Sequence, residues 1–169
     1  MKQIKQLFLI IGFVLSGLIA NSQWTRSYTL DDFGDTTDMF TIEGRSFDGL
    51  TYYNDPNGEP MEKFCIRIII DTEKNVGLFI HENCVFDKPA FPGNDQLKDV
   101  TFRMRNSEKV TEKINILSKW AKFGGLKLES EKFIDFLNNS QGDIRCIVKS
   151  GVAYYKFTID ASGYRKIVE

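Results

Sequence analysis

The sequence predicts a mainly β protein: an antiparallel β-sandwich or flattened barrel of about seven or eight strands, with one short amphipathic helix near residues 130–139. Three observations predict it. Short runs alternate apolar with polar residues and concentrate β-branched and aromatic side chains. Clusters of Gly, Pro, Asn and Asp punctuate the runs. A helical apolar stripe is clear only once, so there is no repeated β-α alternation.

Element by element, the chain opens with a short basic head, Lys2 and Lys5, and an apolar run over residues 7–19. Ala20 and Ser22 then put small residues where a signal peptidase reads them, so cleavage is expected near Ser22/Gln23. At about 13 residues the run falls short of the roughly 20 that a membrane-spanning helix needs. The expectation is a signal peptide over 1–22, one domain over 23–169, no membrane span in the mature chain, and a secreted or periplasmic location. Asn21, Ser22 and Gln23 stand where a lipoprotein carries its cysteine.

Residues 39–43 alternate weakly. Asp55-Pro56-Asn57-Gly58-Glu59-Pro60 reads as a strong turn. Residues 64–70 make the best strand, with Phe64, Ile66, Ile68 and Ile70 on one face; 71–75 turn the chain and 76–86 return as its hairpin partner. Residues 88–99, holding Pro89 and Pro92, read as a loop. Val100, Phe102 and Met104 alternate with Thr101, Arg103 and Arg105, which makes a half-buried strand with a basic outer face. Residues 113–117 and 126–128 are shorter strands, and 118–123 reads as one helical turn before Gly124-Gly125. Ser130 is the expected helix cap, Glu131 suits the positive first turn, and Phe133, Ile134, Phe136 and Leu137 supply the stripe. Residues 144–149 and 154–159 form a last hairpin around Ser150-Gly151; the pattern from Gly163 onward is ambiguous.

Charge narrows the function classes. The chain has 22 basic and 23 acidic residues, a net charge of −1 that becomes −3 when Lys2 and Lys5 leave with the leader. Interspersed signs on a mildly acidic chain give no footprint for nucleic acid or an anionic membrane. Three cysteines remain, Cys65, Cys84 and Cys146. With Lys74-Asn75 as a two-residue loop, Cys65 faces Cys84 and Arg67 faces Glu82; a three-residue loop sets Cys65 opposite Asn83. A cross-strand disulfide and two thiols packed as small hydrophobes both fit that register. Cys146, between Ile144 and Val148, is expected buried and inert.

Catalytic signals are weak. His81 is the one histidine, set mid-strand and opposite Ile68 by the same register, where a packed histidine is the expected role. One histidine and three scattered cysteines also argue against a zinc site. Asp31, Asp32, Asp35 and Asp38 crowd a turn around Gly34; they could hold Ca²⁺ or simply form the turn, and the spacing is not that of an EF-hand. Glu43, Glu82 and Asp48 are the carboxylates available to a small carbohydrate hydrolase, with nothing selecting a pair. Adjacent tyrosines, Tyr52-Tyr53 and Tyr154-Tyr155, must send one ring of each pair to the surface. Tyr53, Tyr154, Arg103 and Arg105 are therefore the candidate contacts for a protein or glycan partner, with loops 52–60 and 88–99 around them.

Phe133-Ile134-Asp135-Phe136-Leu137, the hairpin over 143–149, and Tyr155-Lys156-Phe157-Thr158-Ile159 running to Gly163-Tyr164 resemble the ending of secreted proteins of the invasion-associated locus B type. The resemblance covers the C-terminal third, and the cysteines are placed differently. It implies an exported β-sandwich with a non-enzymatic role and transfers no functional residue. Trp24 to Asp38 also resembles the start of many uncharacterised exported bacterial proteins, which adds a compartment and no activity. The expected function is a non-enzymatic binding or envelope-interaction protein; the alternatives are a carboxylate-dependent hydrolase and a calcium-stabilised module.

Overall fold

All ten strands of the described chain join one antiparallel sheet that curls into a nearly closed barrel. The structure is a computed structural model and describes residues 23–82, 84, 97–120 and 125–169. The expected signal peptide and most of the expected 88–99 loop lie outside these residues. The strands are β1 (Trp24–Leu30), β2 (Thr36–Tyr53), β3 (Glu62–Asp71), β4 (Val76–Glu82), β5 (Val100–Arg105), β6 (Thr111–Ile114), β7 (Ile116–Trp120), β8 (Gly125–Leu128), β9 (Asp143–Ser150) and β10 (Ala153–Asp160). The helices are α1 (Ser130–Asn139) and α2 (Ala161–Val168). The sheet runs β6-β5-β9-β10-β2-β3-β4-β8-β7, with β1 on the free edge of β2, and β7 comes back beside β5.

The expected fold class holds, with more strands than the alternation revealed. β2 is 18 residues long because two partners share one of its edges. β1 pairs with its first half, Trp24 against Gly44 through Leu30 against Thr36, and β10 takes its end, Lys156 against Leu50 through Ala153 against Tyr53. A bulge between Ser46 and Gly49 bends the strand between those pairings. The expected strand over 113–117 splits at Asn115 into β6 and β7. Residues 118–120 continue β7 instead of forming a helical turn, because Ser118 and Lys119 pair with Lys127 and Leu126. Leu97–Asp99 is a short 3-10 turn where a loop was expected.

Register in the β3–β4 hairpin differs from the expected one. Asp71 pairs with Asn75 around Thr72, Glu73 and Lys74, so Asn75 belongs to the ladder and not to the loop as expected, and Lys74 takes φ 61°. Cys65 therefore faces His81, Ile68 faces Leu78, and Arg67 faces Phe79 instead of Glu82. The Cys65–Cys84 disulfide still forms, with Cα atoms 4.7 Å apart. After Glu82 the chain turns back, the Cys84 amide donating to the His81 carbonyl, which returns Cys84 across Cys65. The bridge spans 19 residues of sequence, so its removal lengthens the denatured chain's freedom by a loop worth about 3 kcal/mol. Cys65→Ala/Cys84→Ala is expected to lower the free energy of unfolding in urea by that amount and to steepen the denaturant slope, because the uncrosslinked denatured chain exposes more surface.

The interior carries the alternate residues of every long strand: Phe64, Ile66, Ile68 and Ile70 of β3, Val76, Leu78 and Ile80 of β4, Ile144, Cys146 and Val148 of β9. Phe102 stacks on Phe157 at 6.0 Å, and Phe64 meets both Phe157 and Tyr155 edge-on. α1 spans the residues expected of it and buries Phe133, Phe136 and Leu137 against this core. Ser130 is not its side-chain cap. Its hydroxyl accepts the Val76 amide and donates to the Leu128 carbonyl, which ties the helix start to β4 and β8. The ambiguous tail forms α2, whose start Asp160 caps by accepting the Ser162 amide at 2.9 Å. Cys146 is buried and free, and burial pushes its thiol well above the usual cysteine range, as inertness requires.

Candidate functional site

Pairing β5 between β6 and β9, and β9 against β10, lines up side chains of one parity on the outer face of the sheet. One row reads Lys113, Arg103, Ile147, Lys156 and Leu50 across five strands. The next reads Thr111, Arg105, Arg145 and Thr158. Apart from Lys113, these two rows floor a cleft of about 640 Å³, which Asn57 of the β2–β3 loop and Tyr52 also line. A volume of that size suits a small ligand or a peptide side-chain cluster. A hollow of about 350 Å³ continues from it over Asn106, Ser107, Lys109 and Asp143.

Electrostatics single this face out. Arg105 and Arg145 stand directly opposite each other on β5 and β9, and Arg103 is one pleat away. Like charges facing across strands oppose sheet stability. Among the described residues, none of the three guanidiniums forms a salt bridge. The salt bridges seen elsewhere show that the chain pairs its cations where structure needs it: Glu43 takes Arg45 and Arg67, each at 2.7 Å, and Glu112 takes Lys132. Lys156 is held in place by the Pro56 carbonyl, with its ammonium 4.5 Å over the Tyr52 ring.

The structure gathers some of the expected contacts and separates others. Arg103 and Arg105 both line the cleft. Tyr154 lies on the same face, paired with Tyr52 and 5.4 Å from the Lys149 ammonium, outside the cleft lining. Tyr53 has the opposite parity, at the barrel end near Tyr155, Glu82 and Glu62. Sequence reading missed Arg145, Lys156 and Tyr52. Arg145 was visible as an outward position of the 144–149 strand; that β9 would lie against β5 was not, because the two are far apart in the chain.

Several of the other candidates play structural parts, and the Asp48 side chain lies outside those the structure describes. Asp31 accepts the amides of Phe33 and Asp35, each at 2.9 Å, and Gly34 has φ 86°, so Asp31 builds the β1–β2 turn. Asp31, Asp32, Asp35 and Asp38 do not converge, and among the described residues no three His, Cys, Asp or Glu groups form a metal-holding cluster. Glu43 and Glu82 sit on opposite faces of the sheet, Glu43 outward beside Arg67 and Glu82 inward beside Tyr155, so the two cannot flank one glycosidic bond. Burial opposes ionisation of Glu43, but the hydrogen bond from Arg45 and the charge of Arg67 outweigh it and hold its carboxyl below the usual range. A proton donor needs the reverse. His81 is buried opposite Cys65.

Tyr155 adds an alkaline pH dependence to the stability of the barrel. Burial first, then the charges of Glu82 and Tyr53 and a 3.3 Å hydrogen bond to Glu82, keep its phenol protonated well beyond the usual range. An unfolded tyrosine ionises near pH ~10. The contribution of Tyr155 to stability is therefore complete below that pH and is lost as pH rises above it. Tyr155→Phe is expected to make the alkaline fall in thermal midpoint shallower, leaving the part due to Tyr53 and Tyr164, which burial shifts the same way.

Comparison with protein-family models, with curated proteins and with solved structures gave no match, so the cleft stands on its own chemistry. Among the described residues no helix is long and apolar enough to cross a membrane.

Proposed function

We propose that this is an exported, non-enzymatic binding protein whose ligand is anionic and docks on the Arg103, Arg105, Arg145 face of the barrel. The observation that carries this reading is the pairing of Arg105 with Arg145 across β5 and β9 with no salt bridge to either among the described residues. A sheet gains nothing from that pair. Guanidinium groups present forked donors that suit carboxylate, sulfate or phosphate. Thr111 and Thr158 add hydroxyls at both ends of the row, and Ile147 and Leu50, on either side of Lys156, add apolar contacts beside it. Export is supported by the leader of residues 1–22 and by a disulfide that persists in oxidising compartments.

The overall charge of −1 concealed this patch. Anions are bound by local potential, and segregation of like charge into one cleft creates it whatever the total. Titration calorimetry with a sulfated oligosaccharide tests the reading. Saturable binding that weakens as salt is raised is expected, and the triple variant R103Q/R105Q/R145Q is expected to abolish it while keeping the wild-type circular dichroism. Equal binding by wild type and triple variant would overturn the proposal.

A further inference from the structure

The β1–β2 hairpin runs past the barrel. Pairing of β2 with β3 stops at Thr41 against Asp71, so the residues between Tyr28 and Phe40 form a two-stranded arm with no third strand. Such a ribbon is marginal alone in water. Its apolar side chains nevertheless face outward: Phe33 is 93% exposed, Leu30 60% and Met39 56%. Asp32, Asp35 and Asp38 lie among them. Large apolar side chains left this open on so small an element suit a surface that a partner covers.

The cleft is the complement of this arm. It sets Arg103, Arg105 and Arg145 beside Ile147, with Leu50 beyond Lys156. The Tyr52 end of the cleft lies beyond the reach of the arm on its own barrel. Thr36 and Tyr52 lie near opposite ends of β2, about 50 Å apart along an extended strand at about 3.3 Å per residue. We propose that the aspartate-bearing arm of one copy docks in the arginine cleft of a second copy, so that the protein self-associates through unlike surfaces. This rests on the anion-binding reading above and names the anion as the carboxylates of Asp32, Asp35 and Asp38. Contact between unlike surfaces closes reciprocally into a dimer or propagates as a chain.

Sedimentation velocity of the purified protein over a concentration series tests it. Wild type is expected to associate at low salt and to dissociate as salt rises. D32K/D35K/D38K and R103E/R105E/R145E should each be monomeric, and an equimolar mixture should associate again, because the mixture restores arm-to-cleft complementarity in both directions. Phe33→Ser, at a site too exposed to affect folding, should weaken association about tenfold. A wild type that stays monomeric, or a mixture that does not reassociate although both variants keep the wild-type thermal midpoint, overturns the proposal. Titration of the same variants with the sulfated oligosaccharide separates it from the reading on which it rests. Loss of that binding in R103E/R105E/R145E with self-association unchanged removes the arm as occupant and leaves the anion site standing; binding retained by this variant removes both.

Discussion

Trp24→Ala is expected to destabilise the protein by about 3–5 kcal/mol, the range for emptying the site of a large aromatic core residue. Trp24 is 1% exposed although it begins the first strand of the described chain. Its ring lies against Gly44, where a Cβ would come within 2.5 Å of it, and it meets the Tyr164 ring edge-on at 5.1 Å. Its indole N–H donates to the Asp160 carbonyl at 2.8 Å. A single side chain thus joins β1, β2, the end of β10 and α2. Loss of the ring leaves a cavity and a carbonyl without its indole donor, and α2 has few other contacts with the barrel to hold it. Urea unfolding followed by circular dichroism reads the effect, and Trp24→Phe, which fills most of the volume and lacks the donor, is expected to fall between. Gly44→Ala should act on the same contact from the other side. Because both changes disturb one contact, the double variant should lose less than the sum of the two. A Trp24→Ala midpoint within experimental error of wild type would mean that α2 and β1 are held by something else.

The contrast between Trp24 and the central hairpin shows which parts of the fold were legible in the sequence. The β3–β4 pair could be read because its strongest signal is local: an even-numbered apolar face and a turn between two runs. Its register could not, since β4 is buried on both faces and so suits either the two- or the three-residue loop, and only packing chose Asp71 against Asn75. β1 was invisible because its outward residues are polar and its inward Trp24 finds its cover on α2, at the other end of the chain. α2 itself was obscured by Gly163, a poor helix former. Asp160 and the Trp24 ring crowd that position, with a Cβ there falling 2.6 Å from the Asp160 carboxyl. The site divides in the same way. Arg103 and Arg105 were legible as the outer parity of one strand. Their meeting with Arg145 depends on β9 lying beside β5, a pairing between distant segments that no local pattern encodes.

That meeting leads to the second large effect, in which stability and binding move in opposite directions. Arg145→Thr is expected to raise thermal stability while it weakens binding of the sulfated oligosaccharide by tenfold or more. Removing one of two like charges that face each other across strands relieves about 0.2–1 kcal/mol of repulsion, and a β-branched residue suits the site. The same change removes a charge-assisted donor from the middle of the cleft, a loss of about 1.5–3 kcal/mol toward an anion. If Arg145 served only the sheet, its replacement would lower stability or leave it unchanged, and ligand binding would not depend on it. Arg67→Thr is the control: Arg67 sits in mid-strand on an outer face too, but Glu43 pairs with it at 2.7 Å, so its loss should lower stability and leave the ligand's affinity as it was. Thermal melts and titrations on the two variants separate a cation kept for the fold from one kept for a partner. A less stable Arg145→Thr protein with wild-type affinity would return the arginine row to the status of ordinary surface.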